Sequence, residues 1–186
     1  MAEPALRELE RRQPDLRVAR RAFELRPEPV PTLDPQGAYL RRVWQNVVYP
    51  MAERMRIAVR LPPVQPRSRL AHEATYFAAG HNKREAFQDS VFRSFFQKGE
   101  DIGQEELLVR LAEENGLYGV AMRQALQLKE FATDVQADAE LAERLGVQAV
   151  PAYVVERKRM ITGVRTVDEL LNFVVEKNRE VSFTSS

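Results

Sequence analysis

Leu145-Gly146-Val147-Gln148-Ala149-Val150-Pro151-Ala152-Tyr153-Val154-Val155 is the stretch where the chain turns from helical to strand character. Upstream of Gly146 the apolar residues recur at helical spacing. From Ala152 to Val155 they run consecutively and include two valines, so a strand is predicted there. Arg157-Lys158-Arg159 reads as a turn and Met160-Ile161-Thr162 as a partner strand, which makes a hairpin. Gly163-Val164-Arg165 breaks it. Thr166 then caps a last amphipathic helix, with Val167, Leu170, Leu171, Val174 and Val175 apolar and Glu169 at the capping-box position. Residues 182–186 are expected to form a frayed end.

Working back from that stretch, the chain is mostly helical. Phe131 to Leu145, Tyr118 to Leu128, Gln104 to Asn115 and Arg84 to Gln97 each carry helical periodicity, punctuated by Gly146, Gly116 and the turn Gly99–Gly103. Ser68 is a candidate N-cap for a helix to Ala79, with Gly80 suited to its C-terminal cap. Asp34-Pro35 predicts the start of a helix reaching to about Val59, kinked or broken at Pro50. Two proline-rich connections, 26–31 and 61–66, flank it. Asp15 to Leu25 is predicted as an edge strand, with Leu16 and Val18 alternating against charge. Glu3 to Arg12 reads as a helix with Pro4 in its first turn and Gln13-Pro14 as its stop. Helix, strand, long helical block, then strand, strand and helix suggests an α/β frame with an all-helical insertion.

The composition bounds what such a frame can do. Apolar residues make up 44% and charged residues 30% of 186, the profile of a globular protein with a real core. Twenty-eight basic side chains against 27 acidic leave a net charge of +1, which gives no reason to invoke nucleic acid or an anionic membrane. No apolar run spans a bilayer, and the first ten residues have no signal-peptide pattern, so a cytoplasmic location is expected. Cysteine is absent, which removes disulfides and thiolate nucleophiles from this chain.

Few side chains can carry chemistry. His72 and His81 are the only histidines, and a lone histidine is more often a packing or surface residue than a catalyst. Glu100 and Asp101, with Glu105 and Glu106, precede or open a helix, where carboxylates stabilise the N-terminus, and they lack calcium-loop spacing. Arg157-Lys158-Arg159 could touch phosphate, but hairpin turns are normally polar and solvated. Phe87, Phe92, Phe95, Phe96 and Trp44 read as core, with a substrate groove or dimer contact as alternatives. No glycine-rich phosphate loop occurs, and neither a cofactor nor a metal site is expected.

Four stretches, in this order and spacing, resemble the DsbA-like thioredoxin superfamily and within it the FrnE-like cytosolic branch. They are Ala22 to Pro27, Phe92 to Gly103, Leu145 to Val155, and Ile161 to Gly163. The resemblance covers roughly Pro4 to Asn178. It implies a thioredoxin-like domain from residues 1–34 and 129–186, with residues 35–128 as the inserted helical domain. It further implies thiol–disulfide exchange with a thiol- or disulfide-bearing protein or small molecule, and a possible homodimer. Val150-Pro151 stands where the family has a cis-proline, so Ala149, Val150 and Pro151 are the implied substrate-binding residues, with the backbone before the proline pairing to substrate in a strand-like way.

The departure from the family is at the N-terminus. Members begin with a β-strand and a Cys-Pro-x-Cys helix start, where the helix N-terminus favours the attacking thiolate. Met1-Ala2-Glu3-Pro4-Ala5-Leu6 fits the residues after the second cysteine, so the resemblance implies a strand and two cysteines just upstream of Met1, and no catalytic residue within the chain. Without a central strand the 15–25 segment would lack a neighbour, so instability or a swapped or substituted strand is expected. Two other readings remain. One is a redox-inactive binding protein on the same fold. The other is a relative of kappa-class glutathione transferases and hydroxychromene-carboxylate isomerases, although Gly163-Val164-Arg165 stands where their Ser-Asp pair would be.

Overall fold

Pro4 sits in the first turn of α1 (Glu3–Arg12), where its missing N–H forfeits no bond, and the helix stops at Gln13-Pro14 as expected. In this computed structural model residues 1–175 are described. After α1 come α2 (Ala38–Val43), α3 (Tyr49–Arg54), α4 (Arg69–Gly80), α5 (Arg84–Arg93), α6 (Glu105–Glu114), α7 (Gly119–Gln127), α8 (Ala132–Arg144), β1 (Ala152–Val155), β2 (Arg159–Thr162) and α9 (Val167–Val175). The end at 182–186 that was expected to fray lies outside the described residues. Two units divide the chain: Met1–Arg21 with the residues from Ala142 onward, and Ala22–Leu141.

In the first unit β1 and β2 form an antiparallel pair, in register from Ala152↔Thr162 to Val155↔Arg159. Glu156 and Arg157 turn it with φ of 51° and 61°, left-handed values that the tight reversal imposes on non-glycine residues. The capping box forms as the sequence predicts: Thr166 N–H donates to Glu169 Oε2 at 2.7 Å, and Glu169 N–H donates to Thr166 Oγ1 at 3.3 Å. α1 packs on α9 through buried Leu9 and Leu170. Charge does much of the remaining work. Arg20 is held by Glu3 at 3.0 Å and by Glu10 at 2.7 Å, and Arg12 pairs with Asp168 at 3.0 Å.

The strand expected over Asp15–Leu25 does not form. The segment lies in no sheet among the described residues, where the one sheet is β1–β2. A strand needs a neighbour for its ladder of N–H and C=O groups, and here those groups find other partners. Leu16 N–H returns to Gln13 O at 3.0 Å, and Ala22 N–H donates to the Asp138 carboxylate at 2.7 Å.

The second unit has a continuous apolar core built from α4, α5, α6 and α7. Phe87, Leu108, Leu111 and Met122 are fully buried at its centre. The helix expected over Pro35–Val59 is shorter and divided. Asp34 Oδ1 accepts from Gln36 N–H at 2.8 Å, which makes a local turn rather than a helix cap, and α2 begins after Gly37. Residues 44–48 form a π-turn in which Tyr49 N–H reaches back to Trp44 O. This wider turn lies immediately before Pro50, which has no N–H and whose ring would crowd the preceding turn of a regular helix. The helix ends at Arg54, because Arg56 adopts φ 54° and Ile57 N–H closes on Ala52 O at 2.9 Å. Ser68 precedes α4 but makes no side-chain cap bond. Gly80 is the last residue of α4 rather than its cap, and the left-handed position after it belongs to Asn82, φ 57°. A second π-turn, 94–98, closes on Gly99, whose φ is 75°. A Cβ there would lie 2.8 Å from Pro63 Cδ, so both conformation and space require glycine.

Candidate functional site

The loop from α8 to β1 is set by local chemistry. Gly146 takes φ 70°, and Val147 N–H returns to Ala142 O at 2.9 Å, which satisfies a terminal helix carbonyl. The chain then leads through Ala149 and Val150 to Pro151 at the mouth of the hairpin. The Val150–Pro151 bond is cis. Pro151 O accepts from Gly163 N–H at 2.8 Å, which extends the β1–β2 pairing by one step. Ala149 and Val150 are exposed, Val150 by 44%, and Pro151 is half-buried. Among the described residues β1 pairs with β2 alone, so its other edge has no ladder partner. The Tyr153 hydroxyl is buried without a hydrogen-bond partner among the described residues, and burial, then Glu3, pushes its pKa up. The loop offers a substrate backbone groups and apolar surface, and no thiol or imidazole.

The other candidates lie elsewhere. His72, on α4 in the helical unit, has Nε2 buried without a hydrogen-bond partner among the described residues. Burial lowers its pKa against the raising effects of the Phe23 backbone and Asp138. His81 Nδ1 lies 2.9 Å from Phe77 O and its ring packs on Phe77, a position at a helix end. The carboxylates around α6 are engaged. Asp101 accepts from Gly103 N–H at 2.9 Å, Glu100 pairs with Arg110 at 2.7 Å, and Glu105 pairs with Arg123 at 2.6 Å. Glu100, Asp101 and Glu106 border an open depression of about 450 Å³. Of the basic hairpin residues, Arg159 belongs to β2 instead of the turn; it lies over the Phe173 ring and donates to Phe173 O at 2.6 Å. Phe87 is core, whereas Phe92 reaches the surface. Gly163 has φ 85°, and Arg165 donates to Thr162 O at 2.7 Å.

Sequence reasoning missed one polar centre. Asp138, 2% exposed on α8, accepts from Ala22 N–H and from the Tyr76 hydroxyl, and Arg84 lies over the Tyr76 ring at 5.2 Å. The signal was available: Asp138 is three residues after Val135 and four before Ala142, on the apolar stripe of its helix. A carboxylate in such a stripe is buried only with partners.

With this geometry in place, the comparisons are decisive about family. The DsbA-like thioredoxin domain matches residues 1–175. The chain belongs to the DsbA-like thioredoxin family. It is 36% identical over 146 residues to the uncharacterized protein YwbO of Bacillus subtilis, covering 76% of this chain and 72% of that protein. Its fold is similar to that of a probable DsbA oxidoreductase from Streptomyces coelicolor, with a TM-score of 0.76 at 20% identity, over 100% of this chain and 86% of that one. The chain therefore has the DsbA-like thioredoxin fold, an α/β frame with inserted helices.

Proposed function

We propose that this DsbA-like chain carries the substrate-docking part of a cytoplasmic, FrnE-like thiol–disulfide exchange protein, with Ala149, Val150 and Pro151 receiving a thiol- or disulfide-bearing polypeptide. The observation that carries this reading is exposed Val150 leading into a strand whose outer edge has no ladder partner among the described residues. An extended substrate can add to such an edge through main-chain hydrogen bonds.

The exchange step needs a thiolate that attacks one sulfur of a disulfide. A new S–S bond forms as the old one breaks, and the leaving sulfur departs as thiolate. This chain has no cysteine, so the reacting thiol comes from outside it, in this reading from residues encoded upstream of Met1. The second reading is a binding protein that docks such substrates without reacting; the absence of cysteine favours it.

Insulin-disulfide reduction separates the two. The chain alone is expected to show no rate above background. The protein extended in frame upstream of Met1 is expected to reduce insulin, and Val150→Glu in that form to slow it. An extended protein that carries no cysteine, or that carries cysteines and stays inactive, overturns the exchange reading.

A further inference from the structure

In the helical unit two features coincide between α2 and Arg60. The first is an aromatic cluster that reaches the surface. Buried Trp44 packs on Tyr49 at 5.5 Å and on Phe96 at 6.3 Å, and Phe96 packs on Phe92 at 6.2 Å between ring centroids. Tyr49 and Phe92 expose 39% and 44% of their surface. The second is a set of guanidiniums without carboxylates. Arg41, Arg42, Arg54, Arg56 and Arg60 are exposed and form no ion pair among the described residues. In the same unit Arg67, Arg69, Arg110 and Arg123 each hold a glutamate. Glu53 is the one acid between residues 38 and 60, so five arginines less one glutamate leave +4 there, in a chain of net charge +1.

The fold ties the two features together at Arg41 and Arg60. Arg41, Gln45 and Tyr49 follow one another at four-residue spacing, the spacing of neighbouring turns on one helix face. Arg60 N–H donates to Phe96 O at 2.8 Å, and Leu61 N–H donates to the Tyr49 hydroxyl at 3.2 Å. The segment that carries Arg60 is thereby stitched to two members of the ring cluster, Phe96 and Tyr49.

We propose that this face docks an acidic polypeptide segment that carries aromatic or aliphatic side chains. Charge complementarity selects the occupant: carboxylates would meet the unpaired arginines while apolar side chains cover Tyr49 and Phe92. A bilayer fits less well, because the broad apolar face of α2 and α3, Leu40, Trp44 and Ala52, is already buried in the unit. Nucleic acid fits less well too, because the Tyr49 and Phe92 rings already pack on neighbouring rings and leave less face for a base.

The test needs no redox step, so its failure and that of the exchange reading are distinguishable. The single tryptophan, Trp44, reports on the face by its own fluorescence. Two labelled synthetic peptides are titrated against the chain, one alternating glutamate with leucine and phenylalanine, the other with lysine replacing every glutamate. The acidic peptide is expected to bind and shift Trp44 emission, and the lysine peptide not to. Arg41→Glu combined with Arg56→Glu should weaken binding about tenfold or more without moving the melting temperature. If that double variant does not fold, Arg41→Gln with Arg56→Gln replaces it and should show a smaller loss in the same direction. Equal affinity for both peptides, no binding of the acidic one, or indifference to charge removal overturns the proposal. Tighter binding of phosphatidylserine vesicles or of a single-stranded oligonucleotide than of the acidic peptide overturns it as well.

Discussion

The two units are built by different means. The helical unit, Ala22–Leu141, closes around a dry core in which Phe87, Leu108, Leu111 and Met122 have no exposed surface to speak of. Among the described residues the other unit buries little more than Leu9 and Leu170, and it carries ion pairs such as Arg20 with Glu3 and Glu10. Burial of apolar area scales with side-chain size and tolerates solvent only at the rim, whereas partly exposed ion pairs contribute little each. The difference teaches that the candidate docking loop sits in the thinner-cored unit, where short strands and local caps hold it in place.

Substitutions can break or sharpen this contrast. The largest effect is expected for Phe87→Ala in the helical core, about 3–5 kcal/mol by urea denaturation followed at Trp44. A loss under about 1 kcal/mol would mean that this core is not the main source of the unit's stability. Leu170→Ala, under α1 in the other unit, should cost about 2–3 kcal/mol, toward the lower end for leucine deletions because the surrounding side chains are partly solvated and can collapse. Circular dichroism of the unfolding transition would check it, and a cost above that of Phe87→Ala would reverse the contrast.

Asp138→Asn should cost about 1–3 kcal/mol, because the amide keeps one acceptor but places an NH₂ group among buried donors. Restoration of stability by adding Tyr76→Phe would confirm that the two side chains act as a pair. Thr166→Ala, which removes the α9 cap, should cost about 1 kcal/mol, read in the same denaturation experiment.

The smallest effect is one of direction. Burial holds the His72 pKa below its unfolded value, so the unfolded chain takes up the proton first as pH falls. The stability contributed by neutral His72 is therefore full above about pH 6.5 and declines as pH drops through that value. Asp138, Arg84 and the Phe23 backbone face the ring and set the size of the effect. His72→Gln should flatten the fall in melting temperature between neutral and mildly acidic pH; an unchanged slope would remove His72 from the account.

Much of the helical unit was legible in the sequence, because a helix closes its hydrogen bonds within itself. α4, α6 and α7 follow the apolar spacing of the chain within a residue or two, α5 gives way at Ser94 to the π-turn that completes its expected span, and Gly99 and Gly116 stand at the left-handed positions that end their segments. At Asp34 the side-chain bond to Gln36 N–H forms, but the chain turns there and the helix starts only after Gly37. The 15–25 strand failed for a non-local reason: alternation shows which residues could line a sheet but not whether a neighbour is there to pair with. In the candidate site the hairpin and the place of Pro151 were legible, whereas the burial of Asp138 against Ala22, 116 residues away in sequence, was not.

By itself, then, the sequence determined the helices, their breaks, the capping box at Thr166 and the absence of any thiol, because each depends on residues within a few positions of one another or on none at all. Only the tertiary structure decided which partners meet the buried Asp138 carboxylate and, among the described residues, which edge of β1 lacks a ladder partner and which arginines form no ion pair. Those depend on what the folded chain brings alongside a group, and a linear pattern carries no record of its distant neighbours.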